Sequence, residues 1–178
     1  MKRAILSPIL ALLVAACSTG GTPGPTPLPT LDLAGDPCAV IPPSSVESLV
    51  GPFVLPPSKL EAPASGTVSC NYVGEQANVS IQFVPAPMPP DLWTDYYAQA
   101  IKNGGVPVPD VGTAAVAISL PPTTTGTAVV TYVEPYQFNV TVSIDPSVQT
   151  NPLPAARFVP VGAQIANEVW DALPQAAG

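Results

Sequence analysis

The chain of 178 residues holds 26 Pro, 13 Gly, 3 Cys and no His, and its 5 Lys and Arg against 12 Asp and Glu leave a net charge of −7. An apolar fraction of 47% is enough to fill a core, and a charged fraction of 10% excludes disorder driven by charge repulsion over most of the chain. The acidic balance speaks against nucleic-acid binding, which rests on clustered Lys and Arg, and the missing His removes the commonest general base, metal ligand and activator of a Ser or Cys nucleophile.

Lys2 and Arg3 precede a mostly apolar stretch over residues 4–14, which closes on Val14-Ala15-Ala16-Cys17. The stretch is too short to span a bilayer as a permanent helix, which takes ~20 residues, and it has the three parts of an exported signal peptide. Its cleavage site ends in Cys, as in the lipobox of bacterial lipoproteins. Residues 1–16 are therefore expected to be a lipoprotein signal peptide, and Cys17 to carry a diacylglyceryl group as the first mature residue. A thiol suits that position because it alkylates where a hydroxyl would not, and two or more acyl chains hold a protein on a membrane that one chain only visits. A plain secretory signal with a Cys beside its cleavage site is the other reading. Cleavage leaves Lys59, Lys102 and Arg157 against all 12 acids, three minus twelve or −9, so lipid rather than surface charge would hold the protein on an anionic membrane.

Residues 17–35 read as the lipidated Cys plus a Pro/Gly/Thr-rich spacer, in which Ser18 to Thr30 runs STGGTPGPTPLPT. Such a segment has nothing to bury, and at ~3.1 Å per residue it reaches up to ~40 Å. With Cys17 consumed by lipid, Cys38 and Cys70 remain as a pair in an oxidising compartment, where a disulfide is the expected state. A pair of metal ligands or a redox couple is the rival, although the 31 intervening residues match neither C-x-x-C nor a zinc site.

Residues 36–178 read as a single α+β domain. Ser44-Ser45-Val46-Glu47 fits a capping box opening a short helix that stops at Gly51. Residues 52–66 form a proline-rich loop. Strands follow over 68–73 and 78–83, the second alternating Val79, Ile81 and Phe83 with polar neighbours. Asp91 is placed as the cap of a second helix, where Leu92, Trp93, Tyr96, Tyr97, Ala100 and Ile101 recur at helical spacing before Gly104-Gly105. That stripe is either a ligand platform or the face that the helix lays on a sheet. Three more strands cover 114–120, 127–133 and 137–144, the last two joined as a hairpin through Glu134-Pro135-Tyr136. Strict alternation in both predicts an antiparallel sheet covered on one face. A closing helix tolerates Pro160 near its first turn and turns Gly162, Ile165, Ala166, Val169 and Leu173 inward. The expected architecture is α-β-β-α-β-β-β-α, a five-stranded antiparallel sheet with helices packed mainly on one face.

Asp36-Pro37-Cys38 behind the lipobox and spacer, the capped helix ending in Gly51, Cys70-Asn71-Tyr72, Val111-Gly112-Thr113-Ala114-Ala115 and a closing helix occur in this order. Together they resemble the actinobacterial lipoprotein family defined by domain of unknown function 3558, over about residues 36–173. In that family a DPC segment and a later C-x-W segment carry two cysteines, and a GDAA-like stretch precedes the central strands. Tyr72 stands here where the family tends to have Trp, and Thr113 where it tends to have Asp. The resemblance implies a location in the cell envelope and an architecture, and no reaction.

Motifs for catalysis are missing: no G-x-S-x-G, S-x-x-K, G-x-G-x-x-G or P-loop occurs. Carboxylate-only chemistry leaves Asp91, Asp95, Glu134 and Asp145, which also read as helix-start and turn acids. Asn78-Val79-Ser80 and Asn139-Val140-Thr141 match the N-glycosylation pattern but fall in predicted strands. No catalytic residue, metal or cofactor is assigned. The expected function is that of a membrane-anchored, extracytoplasmic binding or interaction module with an envelope protein, lipid or cell-wall ligand as partner. Trp93, Tyr97 and Trp170 are the candidate ligand-binding aromatics. A carboxylate-dependent hydrolase of wall polysaccharide and a structural surface antigen are the alternatives.

Overall fold

A computed structural model describes residues 36–62, 64–85, 88–133 and 136–173. The signal peptide, Cys17 and the spacer lie outside the described residues, as does Glu134. Helix α1 spans Pro43–Val50 and is followed by strands β1 (Phe53–Ala62), β2 (Thr67–Gly74) and β3 (Asn78–Val84). Helix α2 (Pro90–Lys102) leads to β4 (Val106–Pro107), β5 (Ala114–Ser119), β6 (Thr125–Val133) and β7 (Tyr136–Ile144), and helix α3 (Phe158–Ala172) closes the chain. All seven strands join one antiparallel sheet in the order β1-β2-β3-β7-β6-β5-β4.

The class is α+β, but the sheet has seven strands instead of five, and the element order changes accordingly. The first added strand, β1, occupies most of the expected proline-rich loop. Pro56 and Pro57 sit where its register against β2 breaks between Leu55 and Ser58. Proline has no N–H to give a neighbour, so it is accommodated where a strand has an outer edge or a bulge. The second added strand, β4, is two residues at the opposite edge and also holds a proline, Pro107.

Alternation along β3 and β7 buries Val79, Ile81 and Phe83 against Phe138, Val140 and Val142. Helices α1 and α3 cover this face: Val46, Val50, Phe158, Val161, Ile165, Ala166 and Val169 all join its core. Helix α2 lies on the other face, where Trp93 and Ala100 pack with Val116, Val130 and Tyr132. Coverage on one side therefore fails for β6, in which every residue from Thr127 to Val133 is buried. Val129 and Val133 face α3 and its core while Val130 and Tyr132 face α2, which accounts for the nearly unbroken apolar run Ala128-Val129-Val130-Thr131-Tyr132-Val133.

The starts of α1 and α2 are set by proline pairs and not by the expected caps. Pro42 and Pro89 are extended (ψ 128° and 147°) and act as N-caps without side-chain bonds, with Pro43 and Pro90 at the first helical position. A residue before proline is pushed out of the helical region, while proline itself fits the first turn, so a Pro-Pro step both ends the extended segment and starts the helix. Ser44 consequently makes no capping bond, Glu47 Oε1 accepts instead from the Phe53 N–H at 3.4 Å, and Asp91 is a first-turn acid of α2 and not its cap. Leu92 departs from the expected stripe and is exposed.

Candidate functional site

Four residues of α2 define its buried side: Trp93, Tyr96, Tyr97 and Ala100 follow the i, i+3, i+4, i+7 spacing that brings side chains to one face. Trp93 lies almost flat on Tyr132 of β6, ring centroids 5.1 Å apart and planes at 14°, with Tyr96 and Tyr97 tilted against it at 5.5 and 6.1 Å. Trp93 and Tyr132 are buried, whereas Tyr96 and Tyr97 are half-buried. The aromatic stripe is thus first the seat of the helix on the sheet.

The seat is not filled along its whole length. A cleft of about 360 Å³ opens beside the first two turns of α2, walled by Trp93, Tyr97 and Tyr132 with Pro90, Thr113 and Ala114. A second hollow of about 300 Å³ lies toward the helix end, between Tyr96 and Gln99 on α2, Asn103 that caps it, and Ile118 and Ser119 on β5. There Gln99 Nε2 donates to Asn103 Oδ1 at 3.1 Å, and burial pushes the Tyr96 phenol above its ordinary pKa. The first cleft is walled by rings and the second is rimmed by amides and a hydroxyl. Such concave, mainly apolar spaces with a few polar groups are the usual form of small-ligand sites.

Of the three aromatics singled out from sequence, Trp93 and Tyr97 line one cleft. Trp170 does not join them: it lies on α3 and packs against the core on the opposite face. Tyr132 is the wall that sequence reasoning left out, because its position in a strand gave no sign that a helix would reach the second face.

Cys38 and Cys70 form a disulfide with Cα atoms 5.0 Å apart. It ties a 3-10 turn, Pro37–Ala39, to β2, and Asp36 shapes that turn by accepting from the Cys38 N–H at 2.9 Å. Beside it Tyr72 is fully buried, and burial first, then the Asp36 carboxylate, push its phenol up to about 12.

The candidate acids that are described sit on α2 and after β7. Asp91 and Asp95 are exposed on α2, and Asp145 accepts from the N–H and Oγ of Ser147 at 2.9 and 2.6 Å, bonds that hold its carboxyl below the ordinary range. Among the described residues no group of three or more His, Cys, Asp or Glu is placed to hold a metal ion. Asn78 and Asn139, the two glycosylation matches, are engaged: Gln149 Nε2 donates to Asn78 Oδ1 at 2.9 Å and Asn139 Nδ2 donates to Gln82 Oε1 at 3.1 Å. No described helix is long and apolar enough to cross a membrane.

Compared with family models, with curated proteins and with solved structures, the chain finds no match.

Proposed function

We propose that this chain is an exported lipoprotein, of the kind the family of domain of unknown function 3558 represents, whose folded part is a non-catalytic binding module. Acyl chains on Cys17 fasten it to the outer side of the cell membrane, and the spacer to residue 35 lifts it clear. The Cys38–Cys70 disulfide supports that location, because such bonds persist in oxidising compartments. The ligand is an apolar or amphipathic molecule of the envelope, seated beside α2. The observation that carries this reading is the cleft of about 360 Å³ walled by Trp93, Tyr97 and Tyr132, where one side stays open although the helix is already seated by its stacked ring. Ring faces stack on flat or greasy groups, and Thr94 and Thr113 offer hydroxyls at the same cleft.

Three measurements test the reading. Radiolabelled fatty acid should appear on the chain, and Cys17→Ser should release it from membranes; a membrane-bound Cys17→Ser chain overturns the anchor. Native mass spectrometry of the detergent-extracted protein should show a co-purified small molecule that Ala114→Leu, growing into the cleft, displaces. A wild-type protein that carries nothing, or a ligand that survives Ala114→Leu, overturns the site.

A further inference from the structure

We propose that the outer edge of β1 pairs with a second copy of this chain, antiparallel over residues 58–62, about a two-fold axis that passes Leu60. Among the described residues β1 ends the sheet, and no described strand pairs with the side facing away from β2, whose outward N–H and C=O groups are the usual template for another strand. Three large apolar side chains are exposed along it, Val54 at 49%, Leu55 at 57% and Leu60 at 61%. Beyond the break at Pro56-Pro57 its register is unbroken from Ser58 to Ala62, so five consecutive residues present a regular edge.

The charges on this edge complement themselves. Lys59 Nζ and Glu61 Oε1 lie 2.7 Å apart, both exposed, on either side of Leu60. Antiparallel pairing centred on Leu60 sets Leu60 against Leu60 of the second copy, each Lys59 against a Glu61, and each Ser58 against an Ala62. Directly opposed side chains in such a pair have Cβ atoms about 4.5–5.5 Å apart, close enough for apolar contact and for ion pairs. Centring the axis on Lys59 or on Glu61 would set like charges face to face, which disfavours those registers. Pro56 and Pro57 stop the pairing from running on, and the far edge of the sheet is only Val106–Pro107. The contact therefore uses the same patch on both copies and closes as a pair in place of a filament.

Cysteine crosslinking on the full chain tests this, with mild oxidation, non-reducing gels and wild type treated identically. Leu60→Cys should crosslink to itself, Ser58→Cys should not, and Ser58→Cys mixed with Ala62→Cys should. In the Leu60→Cys background, Lys59→Glu or Glu61→Lys alone should lower the yield at least five-fold. Mixing those two charge variants should restore it, because every facing pair is then opposite in sign. Circular dichroism confirms that each variant is folded. No self-crosslink at Leu60→Cys, a yield indifferent to charge reversal, or a crosslinked species joined to a different protein would each overturn the proposal.

Discussion

Trp93 on α2 and Tyr132 on β6 are stacked rings, 5.1 Å apart and 14° from parallel, that bind a helix to the face of the sheet opposite α1 and α3. The pair serves two ends. It fixes the helix, and its edge forms the wall of the adjoining cleft. Truncating Trp93 to Ala should cost about 3–4 kcal/mol, the ordinary loss for a buried large aromatic, and denaturant unfolding measures it. The two tryptophans should also be distinguishable by light. With Trp170→Phe the remaining indole, Trp93, is buried and should emit to the blue and resist acrylamide. With Trp93→Phe the half-buried Trp170 should emit further to the red and quench more readily.

Gln149 is 3% exposed, and its amide is fully used. Its Nε2 donates to Gly74 O at 3.0 Å and to Asn78 Oδ1 at 2.9 Å, and its Oε1 accepts from the Asp145 N–H at 2.7 Å. The side chain thus pins the segment after β7 to the β2–β3 turn. Gln149→Leu keeps the volume and leaves those partners unsatisfied, so it should lower stability by about 2–3 kcal/mol. Gln149→Glu should be milder at low pH, where a neutral carboxyl still offers a donor, and denaturant midpoints at two pH values separate the cases.

Gly112 is at φ 57°, and a Cβ there would sit 2.1 Å from Val133 Cγ2. The left-handed backbone and the close approach both demand glycine. Gly112→Ala should cost about 2–4 kcal/mol, read as a drop in the denaturant midpoint with the m-value retained.

Period-two alternation carried β3 and β7, and helical spacing carried α2 and α3, because in each the burial of one face decides the pattern. What escaped was decided by position in the sheet. The prolines of β1 argued for a loop, yet proline excludes a strand only where both neighbours need its N–H, and nothing local in Phe53–Ala62 reveals that it ends the sheet. The strict alternation expected of β6 does not hold, since both its faces are buried, and the second covering helix that buries the other face is a tertiary fact. In the candidate site, Trp93 and Tyr97 could be named from their helix, whereas Tyr132 could not be joined to them, nor Trp170 separated, without knowing which face each helix covers.

Reduction of Cys38–Cys70 should have a defined cost. The loop it closes spans a sequence separation of 32, and the chain-entropy account gives about 3–4 kcal/mol for a closure of that size. Cys70 is wholly buried and Cys38 nearly so, hence reductant should act slowly on the folded protein and quickly once it is partly unfolded. The paired Cys38→Ser, Cys70→Ser chain should melt lower than wild type, and reductant should leave that variant's melt unchanged.

Tyr72 gives the protein an alkaline limit. Its folded-state pKa of about 12 lies above the ordinary phenol value of 10.0, so the fold holds a proton that the unfolded chain has begun to release. The stabilisation is complete below pH ~10 and is lost as pH rises from there through ~12, at up to about 1.4 kcal/mol per pH unit for one such proton. Burial is the larger cause, with the Asp36 carboxylate adding to it, so the effect should persist in salt and weaken only in part in Asp36→Asn. Denaturant midpoints measured from pH 8 to pH 12 should fall less steeply above pH 10 in Tyr72→Phe than in wild type. Parallel slopes for the two chains would place the alkaline loss elsewhere.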